Sequence, residues 1–376
     1  MKITCLADLA DATRCRRLVV KVGSSLLVGK DGVRRGWLEG LVAEIAAARA
    51  RGQEVIVVSS GAIALGAAKL GLDKGGRGSL ADAQAAAAVG QIALSGLWAE
   101  LLGAHGLTAA QLLLTLEDLE DRRRYLNATA TLTRLLDAGA VPVINENDSV
   151  ATQEIRFGDN DRLAARVAQA AQANAVLLLS DVDGLFDRNP AEPGARLLPE
   201  VRGVTAEVHA MATGGSSSGM GSGGMTSKLQ AAEIAERAGI ALAIASGLHD
   251  APIARATNEA IGTLFLPKRK DAGRKAWLGG RLRLKGALVI DAGAARALGK
   301  GSSLLAAGVV RVEGEFQRGD AVAIRGEGGE TLAHGLAEYD AVECARLMGR
   351  NSAEHGELLG YAPRSAVVHR DQLVLL

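Results

Sequence analysis

A chain of 376 residues is long enough for two or three domains and for a substantial core without disulfides or a structural metal. Its 43 Lys and Arg against 42 Asp and Glu leave a net charge of +1, which argues against a protein whose main task is to coat nucleic acid or an anionic membrane. Hydrophobic residues make up 48%, but polar ones interrupt them throughout. Even the Ala-rich stretch from Ala81 holds Asp82, Gln84 and Gln91, so no run is expected to supply the roughly 18 apolar residues that cross a bilayer.

In chain order, Met1–Arg14 comes first. It carries Asp8, Asp11 and Arg14 and no apolar segment, so it does not read as a signal peptide; a cytoplasmic location is expected, with this extension exposed and dispensable. Leu18–Val22 reads as a strand running into a Gly-Ser-Ser turn, followed by a helix over Trp37–Arg51. Glu54–Ser59 is a second strand, running into Gly61 and another helix. Further strands are expected at Leu112–Leu114, Val141–Asn145, Val176–Ser180 and Ala241–Ser246, with helices around Leu80–Gly103, Asp118–Asp137, Arg162–Ala173 and Ser227–Ala238. Strands covered on both faces are near-continuous apolar runs, as these are, so the fold class is α/β: an open, mostly parallel sheet sandwiched by helices. Near Leu266 the texture changes to the charged Pro267–Lys275 stretch, which fits a connector. Beyond it lie short strand patterns at Ala287–Ile290, Val309–Val312, Ala321–Ile324, Leu332–His334 and Ala366–His369, a small β-rich module. The expected organisation is an extension over residues 1–14, an α/β domain over 15–266, a linker over 267–285 and the β-rich domain over 286–376. Cys5, Cys15 and Cys344 are odd in number and lack C-x-x-C spacing, which points to reduced thiols.

In an open α/β sheet, ligands bind beyond the carboxyl ends of the strands. Those positions hold Lys21, Gly23, Ser24 and Ser25; Ser59-Ser60-Gly61-Ala62; Asn145-Glu146-Asn147-Asp148; and Ser180-Asp181. Small residues at strand-to-helix turns let backbone N–H groups approach an anion, and helix N-termini favour one, so a phosphorylated ligand is indicated. The Gly214–Lys228 segment is a Gly/Ser/Met loop ending in a lysine at a helix start, suited to wrapping phosphates. Its Gly219, Gly221 and Gly224 lack the preceding strand of a dinucleotide fingerprint, and no P-loop is present. Asp159, Asn160 and Asp161 open a helix, where they serve either as caps or to bind an amino group or a metal-bound phosphate. The six histidines are scattered without metal spacing.

Together, Val20-Lys-Val-Gly-Ser-Ser25, Ser59-Ser-Gly-Ala62, Val143-Ile-Asn-Glu-Asn-Asp148, Gly158-Asp-Asn-Asp161, Leu179-Ser-Asp-Val-Asp-Gly-Leu185 and Gly223-Gly-Met-Thr-Ser-Lys228 resemble the amino acid kinase family. The tail from Gly286 to about Asp371 resembles a PUA domain. Ser24 and Ser59 stand where threonine is often seen, and both keep a hydroxyl. The resemblance implies the amino acid kinase fold with a PUA-like barrel, and ATP-dependent phosphorylation of the γ-carboxylate of L-glutamate, the first step of proline synthesis. Such a nucleophile, with a pKa near 4.3, is already ionised and needs no general base. By the resemblance Lys21, Asp161 and Lys228 are catalytic. Ser60, Asp148 and Asn160 hold the glutamate. Lys21, Ser180, Asp181, Ser222, Gly223, Gly224, Met225, Thr226, Ser227 and Lys228 bind ATP, with Mg²⁺ as companion and no protein ligand assigned to the metal. Asp118, in the charged segment Glu117–Asn127, is implied in feedback inhibition by proline, and a homo-oligomer, dimer or tetramer, is implied as well.

Two rival readings remain. One is another activity of the same family, of the acetylglutamate kinase type. The other is an RNA-binding or RNA-modifying protein, suggested by the PUA-like tail and the basic Lys268–Lys285 stretch; balanced charge and only 3% aromatic residues weigh against it.

Overall fold

The computed structural model describes residues 2–29, 32–150, 160–212, 224–267, 284–361, 364 and 366–375. The chain divides into two compact units, Met1–Glu120 with Ala128–Lys270, and Asp121–Asn127 with Asp271–Leu376.

The elements follow in chain order: β1 (Arg17–Val22), α1 (Ser24–Leu27), β2 (Val28–Gly29), β3 (Gly32–Val33), α2 (Arg35–Ala50), β4 (Glu54–Ser59), α3 (Ala62–Leu70), α4 (Leu80–Gly103), β5 (Ala109–Leu114), α5 (Leu116–Glu120), α6 (Arg122–Asp137), β6 (Val141–Glu146) and α7 (Asn160–Ala170). Then come β7 (Ala175–Ser180), β8 (Glu200–Arg202), α8 (Ala206–Met211), α9 (Met225–Arg237), β9 (Ala241–Ser246), α10 (Pro252–Asn258) and β10 (Thr263–Leu266). Eight strands form one sheet in the order β5-β6-β4-β1-β7-β9-β10-β8. All pairs are parallel except β9 with β10. The inner strands β4, β6, β7 and β9 are buried along their whole length, which is why their middles are apolar and polar residues stand only at their ends. Helix α2 buries Trp37, Leu38, Leu41, Val42, Ile45 and Ala48, the one-sided spacing of a helix lying on a sheet.

Helices α3 and α4 pack backbone to backbone. A Cβ on Gly66 would come within 1.8 Å of the Ala86 carbonyl oxygen, and one on Gly90 within 1.7 Å of that of Ala62, so both positions require glycine. Against expectation, α4 does reach the length and composition of a membrane span, with 24 residues and a mean hydropathy of 1.4 over 18 of them. Alanine scores as apolar, and the charged residues sit at the helix ends. A core helix passes the same test, and α4 buries Leu94, Trp98, Leu101 and Leu102 in the main hydrophobic core.

Three other expectations change. The single helix expected over Asp118–Asp137 is two, α5 and α6, because the Asp121 carboxylate accepts from the Arg124 N–H and starts a new helix. The strand expected at Leu112–Leu114 begins earlier, at Ala109. The N-terminal extension is not a loose surface segment. Leu6 and Leu9 belong to the main core, and the Gln53 side chain donates to the carbonyls of Leu9 and Cys15, both at 2.8 Å. Asp8 closes the turn by accepting from the Thr4 and Cys5 N–H groups.

The second unit holds β11 (Gly286–Ile290), α11 (Ala292–Gly299), β12 (Val309–Gly314), β13 (Ala321–Gly326), β14 (Thr331–Leu336), α12 (Ala341–Leu347), α13 (His355–Leu359) and β15 (Leu373–Leu375). Its five strands run in the order β12-β11-β13-β14-β15, with β11 and β13 parallel and the other pairs antiparallel. Leu288, Ile290, Phe316, Val322, Ile324, Tyr339 and Leu347 fill its core. The strand expected at Ala366–His369 is not one: Val367 and Val368 are buried, but their backbone bonds go to Leu304 and Glu338 in loops, and the pairing strand is β15. Most of the expected linker, 268–283, lies outside the described residues.

Candidate active site

Strand β1 lies between β4 and β7; the chain leaves β1 towards β4 on one side and leaves β7 towards β8, β9 and β10 on the other. Where neighbouring connections diverge in this way, a crevice opens at the carboxyl ends of the strands. Lys21 is near the end of β1, Ser60 follows β4, Asn145 and Glu146 end β6, and Ser180 ends β7. Helices α7 and α9, which pack on each other, bring Asn160, Asp161 and Lys228 in their first turns.

Asp161 is the centre. It is 1% exposed, and its two oxygens meet two ammonium groups: Lys21 Nζ at 2.6 Å from Oδ1 and Lys228 Nζ at 3.1 Å from Oδ2. Burial pushes this carboxyl up, but the charges and hydrogen bonds of both lysines outweigh it and hold it below the ordinary carboxylate range. Three motifs far apart in sequence therefore make one unit, two cations on one anion, with a surplus of one positive charge.

Beside it lies a chain of amides. The Asn160 side-chain NH₂ donates to Ser60 Oγ at 2.7 Å and to Asn145 Oδ1 at 3.0 Å. Asn145 Oδ1 also accepts from the Glu146 N–H at 2.9 Å, and its own NH₂ donates to Gln91 Oε1 at 2.8 Å. Asn160 Oδ1 is buried and has no hydrogen-bond partner among the described residues. Ser60 sits on a tight turn, since Gly61 adopts φ 113° and a Cβ there would press to 3.1 Å from Leu27.

Asp148 follows the end of β6. It lines a cavity of about 390 Å³ together with Glu146, Gln91, Gln111, Ile92 and Leu113. Its side chain is buried, and Oδ1 has no hydrogen-bond partner among the described residues. Burial raises its pKa from 3.8 to about 6, with the charge of Arg77 pulling the other way. A desolvated carboxylate of this kind is suited to a cation.

The remaining expected residues fall as follows. Ser180 Oγ donates to Asp181 Oδ1 at 3.0 Å at the end of β7. Gly224 precedes α9, and Met225, Thr226 and Ser227 form its first turn. Ser222, Gly223 and Asp159 lie outside the described residues. Asp118 is not among the strand-end groups. Its carboxylate accepts from the Thr115 N–H and hydroxyl at 2.7 and 2.8 Å at the start of α5, which packs on α7. Asn145 received no role from the sequence, although it stands in a quoted motif; its position at a strand end was the available signal.

The chain matches the amino acid kinase family model over residues 16–246 and the PUA domain model over residues 286–358. It is 75% identical to the glutamate 5-kinase of Novosphingobium aromaticivorans, with 100% of both chains covered. It is 62% identical to that of Sphingopyxis alaskensis, over 96% of this chain and 98% of the relative. Among solved structures, a carbamate kinase from Giardia lamblia bound to AMP-PNP aligns with a TM-score of 0.49 and 18% identity, over 67% of this chain and 98% of that one. With family matches over residues 16–246 and 286–358 and relatives this similar from end to end, the chain belongs to the amino acid kinase family and, within it, to the glutamate 5-kinases that carry a C-terminal PUA domain.

Proposed function

We propose that the chain transfers the γ-phosphoryl group of ATP to the γ-carboxylate of L-glutamate, giving γ-glutamyl phosphate and ADP at the start of proline synthesis, with residues 15–266 as the catalytic domain. The observation that carries the chemistry is the pairing of Lys21 and Lys228 on Asp161. Phosphoryl transfer between two anions needs alignment and positive charge more than proton transfer. Asp161 keeps both ammonium groups in place, so their charge is preorganised for the γ-phosphate and for the transferring group. The acceptor carboxylate is ionised at neutral pH and attacks without a base. On this reading Ser180, Asp181 and the 222–228 segment line the nucleotide.

Glutamate enters amino end towards the amide chain. Its ammonium is taken by Asp148 Oδ1 and by Asn160 Oδ1, both buried acceptors without hydrogen-bond partners among the described residues, and the Ser60 hydroxyl donates to a carboxylate oxygen. An N-acylated glutamate has no ammonium to offer Asp148, and this favours free glutamate over the acetylglutamate alternative. Mg²⁺ belongs to the reading as the companion of the ATP phosphates. Both Asp161 oxygens sit on lysine ammonium groups, so this carboxylate does not fit as a metal ligand.

Proline shares the α-carboxylate and ammonium of glutamate and lacks the γ-carboxylate, so it competes for the same contacts without reacting. Asp118 acts on that competition through α5, which packs on α7 behind Asn160. The chain also works as a homo-oligomer, and sedimentation tests this. The test of the reaction is ADP release with ATP and L-glutamate, together with trapping of the acyl phosphate by hydroxylamine. L-Glutamate-dependent ADP and hydroxamate are expected in equal amounts; ADP without hydroxamate, or preference for N-acetyl-L-glutamate, refutes it.

A further inference from the structure

Gln91 sits on α4, one residue beyond the contact of Gly90 with the Ala62 carbonyl, so the helix crossing fixes it beside the turn that carries Ser60. Its side-chain NH₂ donates to Ser95 Oγ at 3.3 Å, which turns Oε1 towards Asn145 Nδ2 at 2.8 Å. A side-chain amide has one donor end and one acceptor end, so each member of such a chain dictates the orientation of the next. Asn145 presents its donor end to Gln91 and its acceptor end to Asn160. Asn160 then uses both N–H bonds on Asn145 and Ser60, and its Oδ1 is the end left over, buried and without a hydrogen-bond partner among the described residues.

We propose that Gln91 is a positioning residue for the amino group of the substrate: through Asn145 it holds Asn160 with its carbonyl end towards the ligand ammonium. With Asn160 turned over, an NH₂ group would face the ammonium, donor against donor. The inference rests on the proposed glutamate reaction and names a residue outside the contacts assigned to that reaction. It concerns specificity, because only a substrate with a free ammonium gains from an acceptor at this point.

Gln91→Met keeps length and removes both amide ends, while Gln91→Glu keeps an acceptor for Asn145. Losing the acceptor for an ammonium is expected to raise the KM for L-glutamate about tenfold in Gln91→Met, the equivalent of one hydrogen bond. Its kcat and its KM for ATP are expected within twofold of wild type, and Gln91→Glu within threefold of wild type in all three constants. Glutarate, which has both carboxylates and no ammonium, is expected to compete with L-glutamate equally well in wild type and Gln91→Met; if it does not compete with either, the kinetic constants decide alone. An unchanged KM for L-glutamate, equal damage to kcat and to both KM values, equal weakening of glutarate, or a Gln91→Glu variant as impaired as Gln91→Met overturns the role of Gln91. A wild-type chain that releases no ADP in response to L-glutamate instead overturns the proposed reaction, and the role of Gln91 with it.

Discussion

Asp148 makes the conflict between stability and binding measurable. Its pKa in the folded chain is about 6 against an ordinary 3.8, because the carboxylate is buried. The folded state therefore holds this proton more tightly than the unfolded state, and ionisation costs stability. Below pH 3.8 both states are protonated and there is no cost; the cost grows between pH 3.8 and 6 and is complete above 6. At about 1.4 kcal/mol per pKa unit, the full cost is about 3 kcal/mol, and at pH 5 about half of it is present. Asp148→Asn removes the ionisation and keeps the shape. In a domain of this size 1 kcal/mol moves Tm by roughly 2–4 °C, so the variant is expected to melt several degrees above wild type at pH 7.5, with the gap closing as pH falls towards 4. The same change removes the partner of the substrate ammonium, so its KM for L-glutamate is expected to rise about 10²-fold, in line with the 2–5 kcal/mol lost when a buried charge pair is broken. The KM for ATP stays within a few fold. In the wild type, kcat/KM for L-glutamate is expected to fall about tenfold per pH unit below 6, as protonation of the free enzyme removes the charge. Thermal melts from pH 4 to 8 beside steady-state kinetics test both halves. A variant less stable than wild type at pH 7.5, or a gap independent of pH, refutes the desolvation argument. An unchanged KM for L-glutamate refutes the binding role.

Lys21→Ala and Lys228→Ala are each expected to keep the far-ultraviolet circular dichroism of the fold and to lose on the order of 10²–10³ in kcat at saturating ATP, as when one preorganised transition-state contact is removed; wild-type turnover by either ends the charge-clamp reading. Leu9→Ala, at a position fully buried in the main core, is expected to lower unfolding stability by about 2–5 kcal/mol in a urea titration, whereas a dispensable extension would show no change. Asp118→Asn is expected to weaken inhibition by proline and leave uninhibited turnover nearly intact, because asparagine still offers one acceptor to Thr115; proline inhibition that is noncompetitive with L-glutamate and indifferent to this residue points to a separate effector site.

The sheet was legible because its inner strands are buried on both faces, and burial of that kind leaves short apolar runs such as Val55–Val58 and Leu177–Leu179, which their length and the polar turns that follow them mark as strands. Elsewhere the pattern alone misled. Asp118–Asp137 has helical periodicity throughout, and only the side chain of Asp121 decides that one helix stops and another begins. Ala366–His369 has strand composition, but a strand needs a neighbour with free backbone groups, and β14 is paired with Leu373–Leu375 instead. At the N-terminus two leucines three apart, in a segment of only fourteen residues, are too little for a periodic signal. Their burial depends on Gln53, which is distant in sequence and holds the carbonyls of Leu9 and Cys15.

The site divides along the same line between local and distant information. Lys21, Ser60 and Asp148 follow from a local rule, since each ends or follows an apolar run and strand ends in an α/β sheet face ligands. Gln91 obeys no such rule. In sequence it is one polar residue interrupting an alanine-rich helix, and its place beside Asn145 exists only because two glycines 24 residues apart let α3 and α4 cross at backbone distance. The pairing of the two lysines on Asp161 was hidden in another way. Each residue stands in a recognisable motif, yet no motif states that one carboxylate serves two ammonium groups at once. That arrangement determines the electrostatics. Two separate lysine–carboxylate pairs would be neutral and would leave nothing for a polyphosphate. Two lysines sharing one carboxylate keep a net positive charge in a buried place, held rigid by the very anion it exceeds, and such charge is most effective where water is excluded from the transferring group.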